Sequence, residues 1–206
     1  MNRKQAPMFD RQNLELRIEL AEAMVAEFEE YLFDNDLYRQ LMVRTAAGNR
    51  LQQMMSAGSL LEALRDLTFA TEAGHLTTAQ ADRVRELVDS SEQTARRYPS
   101  LYRQKLAREL KSQIDSWRWF LQDCRDDPVR CQDDYRFEVR IRTRIALLCD
   151  ELSDYAPPDQ IARLQQLDRD LQDILIPSEF ILDSSLQDLY LQNRYWWLYG
   201  SPQRPS

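Results

Sequence analysis

Apolar positions along this chain repeat with the period of a helix far more often than with that of a strand. Leu14, Ile18, Ala21, Val25, Phe28 and Leu32 recur at four- and three-residue steps, which places them on one face of a first helix. Asp34-Asn35-Asp36 ends it, because these side chains compete for nearby backbone bonds and can cap the next element. A second helix is predicted from Leu37 to about Met55. Ser59 with Glu62, and Thr77 with Gln80, have the spacing of capping boxes and open helices at 60 and 78. Gly74 is placed to close the first of these in a left-handed conformation.

Pro99 starts a long helix whose core stripe is Leu106, Leu110, Ile114, Trp117, Leu121 and Cys124, and Pro128 breaks it. The stretch from Val139 to Ile145 alternates like a strand, but its continuation decides for helix. Phe137, Ile141, Ile145, Leu148 and Leu152 fall on one helical face, which ends at Pro157-Pro158. Ile161, Leu164, Leu167, Leu171 and Ile174 form a further face up to Pro177, and a last helix is predicted from Ser185 to Tyr199. The fold class expected is therefore all-α, a multi-helix bundle of seven or eight helices with short loops. It forms one domain over residues 8–200, with a possible seam near 96–98 and a flexible tail at 201–206.

Composition agrees with a packed interior. The 206 residues are 43% apolar and 30% charged, globular rather than disordered proportions. A chain of this size buries roughly 70% of its unfolded surface, enough to be stable without a metal or disulfides. The net charge of −7 sets the chain as a whole against phosphate backbones and anionic membranes. Residues 1–10 contain no apolar stretch of the secretory kind, and the longest apolar runs, 145–149 and 195–199, are far too short to span a bilayer. A cytoplasmic location is expected. Cys124 and Cys131 flank a tight turn and could face each other across a helical hairpin, but with Cys149 they are expected to be free thiols in a reducing compartment.

Most enzymatic chemistry lacks its residues. His75, the only histidine, sits in a Gly74-His75 turn, so a di-iron bundle's two Glu-x-x-His pairs cannot be assembled. Zinc is disfavoured as well, since 49 positions separate His75 from Cys124 and no Cys-x-x-Cys pair exists. Four glycines at apparent helix ends leave no phosphate-cradling loop. Acidic pairs are the only pattern to weigh. All-α nucleotide pyrophosphohydrolases hold Mg²⁺ with Glu-x-x-Glu on one helix and Glu-x-x-Asp on the next. This chain offers Glu19-x-x-Glu22, Glu27-x-x-Glu30 and Glu86-x-x-Asp89, but the gap from 30 to 86 is much longer than in those enzymes. With 34 acidic residues such pairs also arise as solvated faces. No cofactor is expected.

Two features are placed to meet a partner. Residues 96–144 carry 13 basic and 8 acidic side chains, and within them Arg136, Arg140 and Arg144 repeat at four-residue spacing. Internal pairing with the chain's acidic helices is the simpler use of this charge. A binding strip for an acidic protein or for RNA is the sharper one, and Trp119, which points away from the core stripe of its helix, supports it. The second feature is the segment ending in Tyr195, Trp196, Trp197 and Tyr199, whose aromatics surround the predicted last helix and must be covered either by the chain's own core or by a subunit or partner. The leading expectation is a non-catalytic adaptor, assembly or regulatory protein acting through helical protein contacts, with a protein partner or a homodimer. Nucleic-acid binding through the 96–144 hairpin and a Mg²⁺-dependent all-α nucleotide pyrophosphohydrolase are the alternatives.

Overall fold

The structure, a computed structural model, describes residues 11–46 and 48–202. It is mostly helical, with seven α-helices and two small two-stranded sheets among the described residues. In order these are α1 (Arg11–Ala26), α2 (Phe28–Phe33), β1 (Arg39–Arg44), β2 (Arg50–Met55), α3 (Ala57–Glu72), α4 (Thr78–Arg97), α5 (Pro99–Asp126), α6 (Pro128–Leu152), α7 (Pro158–Gln172), β3 (Leu175–Pro177) and β4 (Gly200–Pro202). The chain divides into two compact units between Lys105 and Leu106, a point inside α5.

In the first unit, α1 packs against α3, α4 and β1, and α3 against α4 and β2. The predicted stripe on α1 and α2 is the core: Leu14, Ile18, Ala21, Phe28 and Leu32 are buried, and Val25 is half-buried. Asp34 acts as expected, its Oδ1 accepting from the backbone N–H groups of Asn35 and Asp36. Thr77 and Gln80 form their reciprocal capping box at α4, and Gly74 follows α3 with φ of 71°. The box at α3 lies three residues earlier than expected, between Ser56 and Ser59, while Glu62 is buried.

The predicted helix over 37–55 is instead the antiparallel hairpin β1–β2, with Arg39 opposite Met55 and Arg44 opposite Arg50. Leu41 and Val43 point into the unit while Gln40, Met42 and Arg44 face solvent, a period of two that only a strand produces. Gly48, at φ of 83°, supplies the left-handed residue that lets the chain reverse, and its N–H donates to the Thr45 carbonyl. A helix through that glycine would have forfeited this turn.

The second unit holds α5 from Leu106 onward, α6, α7 and the C-terminal segment. Every residue of the predicted α5 stripe is buried. Asp127 caps α6 by accepting from the Arg130 N–H, with Pro128 at the first helical position. Cys124 and Cys131 are joined in a disulfide across this turn, which corrects the expectation of free thiols. They end α5 and begin α6, seven residues apart, so the turn itself brings the two sulfurs together. The core stripe of α6 includes Cys131, Tyr135, Val139, Arg142 and Ile145, which turns Phe137 outward rather than onto the core.

Residues 185–199 do not form a helix. Short 3₁₀ turns at Ser184–Leu186 and Trp196–Tyr199 lead into β4, which pairs with β3. Ser201 and Pro202, expected in a flexible tail, belong to that strand. Gly200 is required there, since a Cβ would meet Leu175 Cγ at 2.5 Å.

No helix among the described residues is long and apolar enough to cross a membrane.

Candidate functional site

The turn at Asp127 and the disulfide hold the end of α5 against the start of α6, and a groove runs between them. On α5 its wall is Ser116, Trp119, Phe120 and Asp123; on α6 it is Asp134, Glu138 and Ile141; Asp126, Asp127 and Arg130 close the end beside the disulfide. The spacings are those of one helical stripe on each helix. The cavity volume is about 630 Å³, in the range of ligand and peptide sites.

Trp119 is 54% exposed, although an indole of that size ordinarily finds cover. The Arg118 guanidinium lies 4.2 Å from its ring centroid, on the helix that carries both. Five carboxylates line the groove against a single guanidinium, and Arg130 is already bonded to Asp134 at 3.2 Å. Asp123, Asp126 and Glu138 have no ion-pair partner among the described residues. Thus the segment with a basic excess in sequence presents an acidic, aromatic groove in space.

The arginine strip lies elsewhere. Arg136 and Arg140 are exposed and Arg144 is half-buried, none of them lining the groove. Each stands two residues from the Asp134 and Glu138 stripe or its continuation, roughly 200° of helix rotation away. The Arg136 guanidinium sits 4.4 Å from the ring of Phe137, itself 59% exposed.

Tyr195 and Trp197, expected on or near a partner surface, are buried in the core of the second unit. The Trp197 indole N–H donates to Thr143 Oγ1 at 3.1 Å, and Tyr135 donates its hydroxyl hydrogen to the Trp197 carbonyl at 2.8 Å. Arg142 is bonded through two nitrogens to both carboxylate oxygens of Asp168, at 2.7 and 2.8 Å, and stacks on Trp197. Trp196 and Tyr199 are half-buried, the latter bonded by its hydroxyl to the Tyr190 carbonyl. The aromatics spread around the predicted helix belong instead to an irregular strand of chain folded back into its own core, where hydrogen bonds satisfy its polar tips.

Two of the three acidic pairs weighed for Mg²⁺ are engaged with the chain itself. Glu22 pairs with Arg83, Glu27 and Glu30 with Arg39, and Glu19 accepts from the Ala46 N–H. Glu86 and Asp89 are exposed on α4. No group of three or more His, Cys, Asp or Glu side chains is placed to hold a metal ion among the described residues.

Comparison of the chain with family models, with curated proteins and with solved structures finds no match. Its own fold and surfaces define it as a helical protein with a β-hairpin in one unit and an acidic, tryptophan-bearing groove in the other.

Proposed function

We propose that this is a non-catalytic protein–protein interaction protein, an adaptor or assembly factor, whose α5–α6 groove receives a basic, partly apolar segment of a partner. The observation that carries this reading is Trp119, more than half exposed beside carboxylates that have no cation of their own. Tryptophan is among the residues that dominate interface energies, and an exposed indole next to free carboxylates suits a guanidinium or ammonium that can use both. Arg130 and Asp134 bond to each other, while Phe120 and Ile141 offer apolar contact along the walls.

Phosphate would be repelled by the same carboxylates, so the one large aromatic exposed in the basic segment's groove favours a cationic protein segment over RNA. Pairing of Glu22, Glu27 and Glu30 with arginines argues against the pyrophosphohydrolase alternative.

Calorimetric titration of the full chain with an amphipathic arginine- and leucine-bearing peptide tests the proposal, with the same peptide carrying glutamates for arginines as the control. Binding of the basic peptide alone is expected, weakening as salt is raised. Trp119→Ala and the pair Asp123→Asn/Glu138→Gln should each weaken it by about tenfold, on the order of 1.4 kcal/mol. Equal affinity in all variants would dismiss the groove as the binding site.

A further inference from the structure

We propose that the segment received by the groove is the β1–β2 hairpin of a second copy of this chain. The proposal rests on the binding role assigned to the groove and names its occupant.

The hairpin's outward face is unusual for a solvent-exposed surface. Met42 and Met54 are 69% and 51% exposed, and Arg44 stands directly opposite Arg50 in the strand register. Like charges placed directly across two strands repel, and neither arginine has an ion-pair partner among the described residues. Two guanidinium groups without an ion pair thus stand at the turn end of this face, Arg44 bordering a pocket with Glu15, Glu19 and Glu22, with Met42 beside them and Met54 toward the other end, on a two-stranded sheet that nothing extends among the described residues.

The groove carries the complementary set. Asp123, Asp126 and Glu138 are carboxylates without a cation, the natural counterparts of Arg44 and Arg50 through charge-assisted hydrogen bonds. Trp119 gives the methionine sulfur an aromatic face, a favourable contact of its own. Packing one hairpin face on another would instead bring four guanidinium groups together, so a hairpin-to-hairpin contact is disfavoured. The two surfaces belong to different units and share no residue. Each copy therefore offers one hairpin and one groove, which can pair reciprocally in a two-fold dimer or successively in a ring or chain.

Six-residue strands give a face roughly 20 Å long and two strands wide, well below the area of a stable permanent interface. Association is accordingly weak, dependent on concentration and sensitive to salt.

Sedimentation velocity of the full chain over a concentration series reads this directly. The average mass of the wild type should rise with concentration and fall back to that of one chain when salt is raised. The hairpin variant Arg44→Glu/Arg50→Glu and the groove variant Asp123→Lys/Glu138→Lys change charges on exposed or half-buried side chains, with circular dichroism as the check on fold. Each alone should weaken self-association by at least about tenfold. An equimolar mixture of the two should regain it, because every hairpin then meets a groove of opposite charge. A wild type that keeps the mass of one chain throughout, variants that associate like the wild type, or a mixture that fails to recover would each overturn the inference. If the mass stays at one chain while the groove still binds the basic peptide, the hairpin is not the occupant and the groove reading stands. Loss of peptide binding as well removes both.

Discussion

The guanidinium of Arg142 lies 3.8 Å from the ring centroid of Trp197 and is clamped from its edge by Asp168. One stacked, bidentate arginine thereby fastens the C-terminal segment to α6 and α7. It explains why a run of aromatics that looks like a sticky surface is an internal anchor: Trp197 is 3% exposed, with its N–H satisfied by Thr143.

Trp197 and Trp119 should respond oppositely to truncation. Trp197→Ala empties a packed, hydrogen-bonded site and should cost about 3–5 kcal/mol in urea unfolding. Trp119→Ala removes an exposed side chain and should change stability by no more than about 0.5 kcal/mol while impairing peptide binding. Equal destabilisation by both would place Trp119 in the core.

Thiol titration under denaturing conditions should find one reactive cysteine before reduction and three after it, because Cys124 and Cys131 are paired and Cys149 is not. In the chain-entropy picture a loop this short contributes about 2.5 kcal/mol, the expected loss for a Cys124→Ser/Cys131→Ser variant. Burial pushes the Cys149 thiol up to about 11, so in the folded protein it should react slowly with thiol reagents near pH 8 and gain reactivity only as the pH nears that value.

Arg83 joins α4 to α1 by hydrogen bonds to Glu15 at 2.5 Å and Glu22 at 2.8 Å. The Arg83 bond, then that from Gln80, holds the Glu15 carboxyl below its ordinary range. A carboxylate lowered in this way stabilises the fold fully above its unfolded pKa, about 4.3, and the contribution is lost as pH falls through the lowered folded value. These side chains are about a third exposed, so solvent screens them. Arg83→Ala should therefore cost about 0.5–1 kcal/mol at neutral pH, with the difference from wild type closing as the pH falls below about 4.3 and on through the lowered folded value. A gap unchanged across that range would mean the arginine acts by packing alone.

Where local pattern and tertiary packing agree, the sequence foretells the structure residue by residue, as in the α5 stripe from Leu106 to Cys124 and the Thr77–Gln80 box. The hairpin is hard to read because its strand signal is short: Leu41 and Val43 are the only buried apolar residues of β1, and the alternation ends at Thr45. Helical period alone puts Phe137 in the core, because the true α6 stripe contains a charged residue, Arg142, whose burial depends on Asp168 and Trp197 far along the chain. Averaging hides the groove. A segment's net charge says nothing about sides, and α5 and α6 turn their carboxylates toward one another while the Arg136–Arg144 strip points elsewhere. Trp119 is legible as facing away from the core; its acidic neighbours on α6 are not, since only the disulfide-closed turn brings them together.

Indole N–H resonances offer the most direct test of the central claim, that the α5–α6 groove is where this protein binds. The four tryptophans of the isotope-labelled full chain, with Trp119 assigned through a Trp119→Phe variant, would be followed during titration with the basic peptide. The prediction is a progressive shift of the Trp119 resonance, together with amides of residues 116–127 and 130–141, while the buried Trp117 and Trp197 indoles stay in place. A Trp119 signal that does not move when the peptide is bound, or shifts confined to another surface, would contradict it.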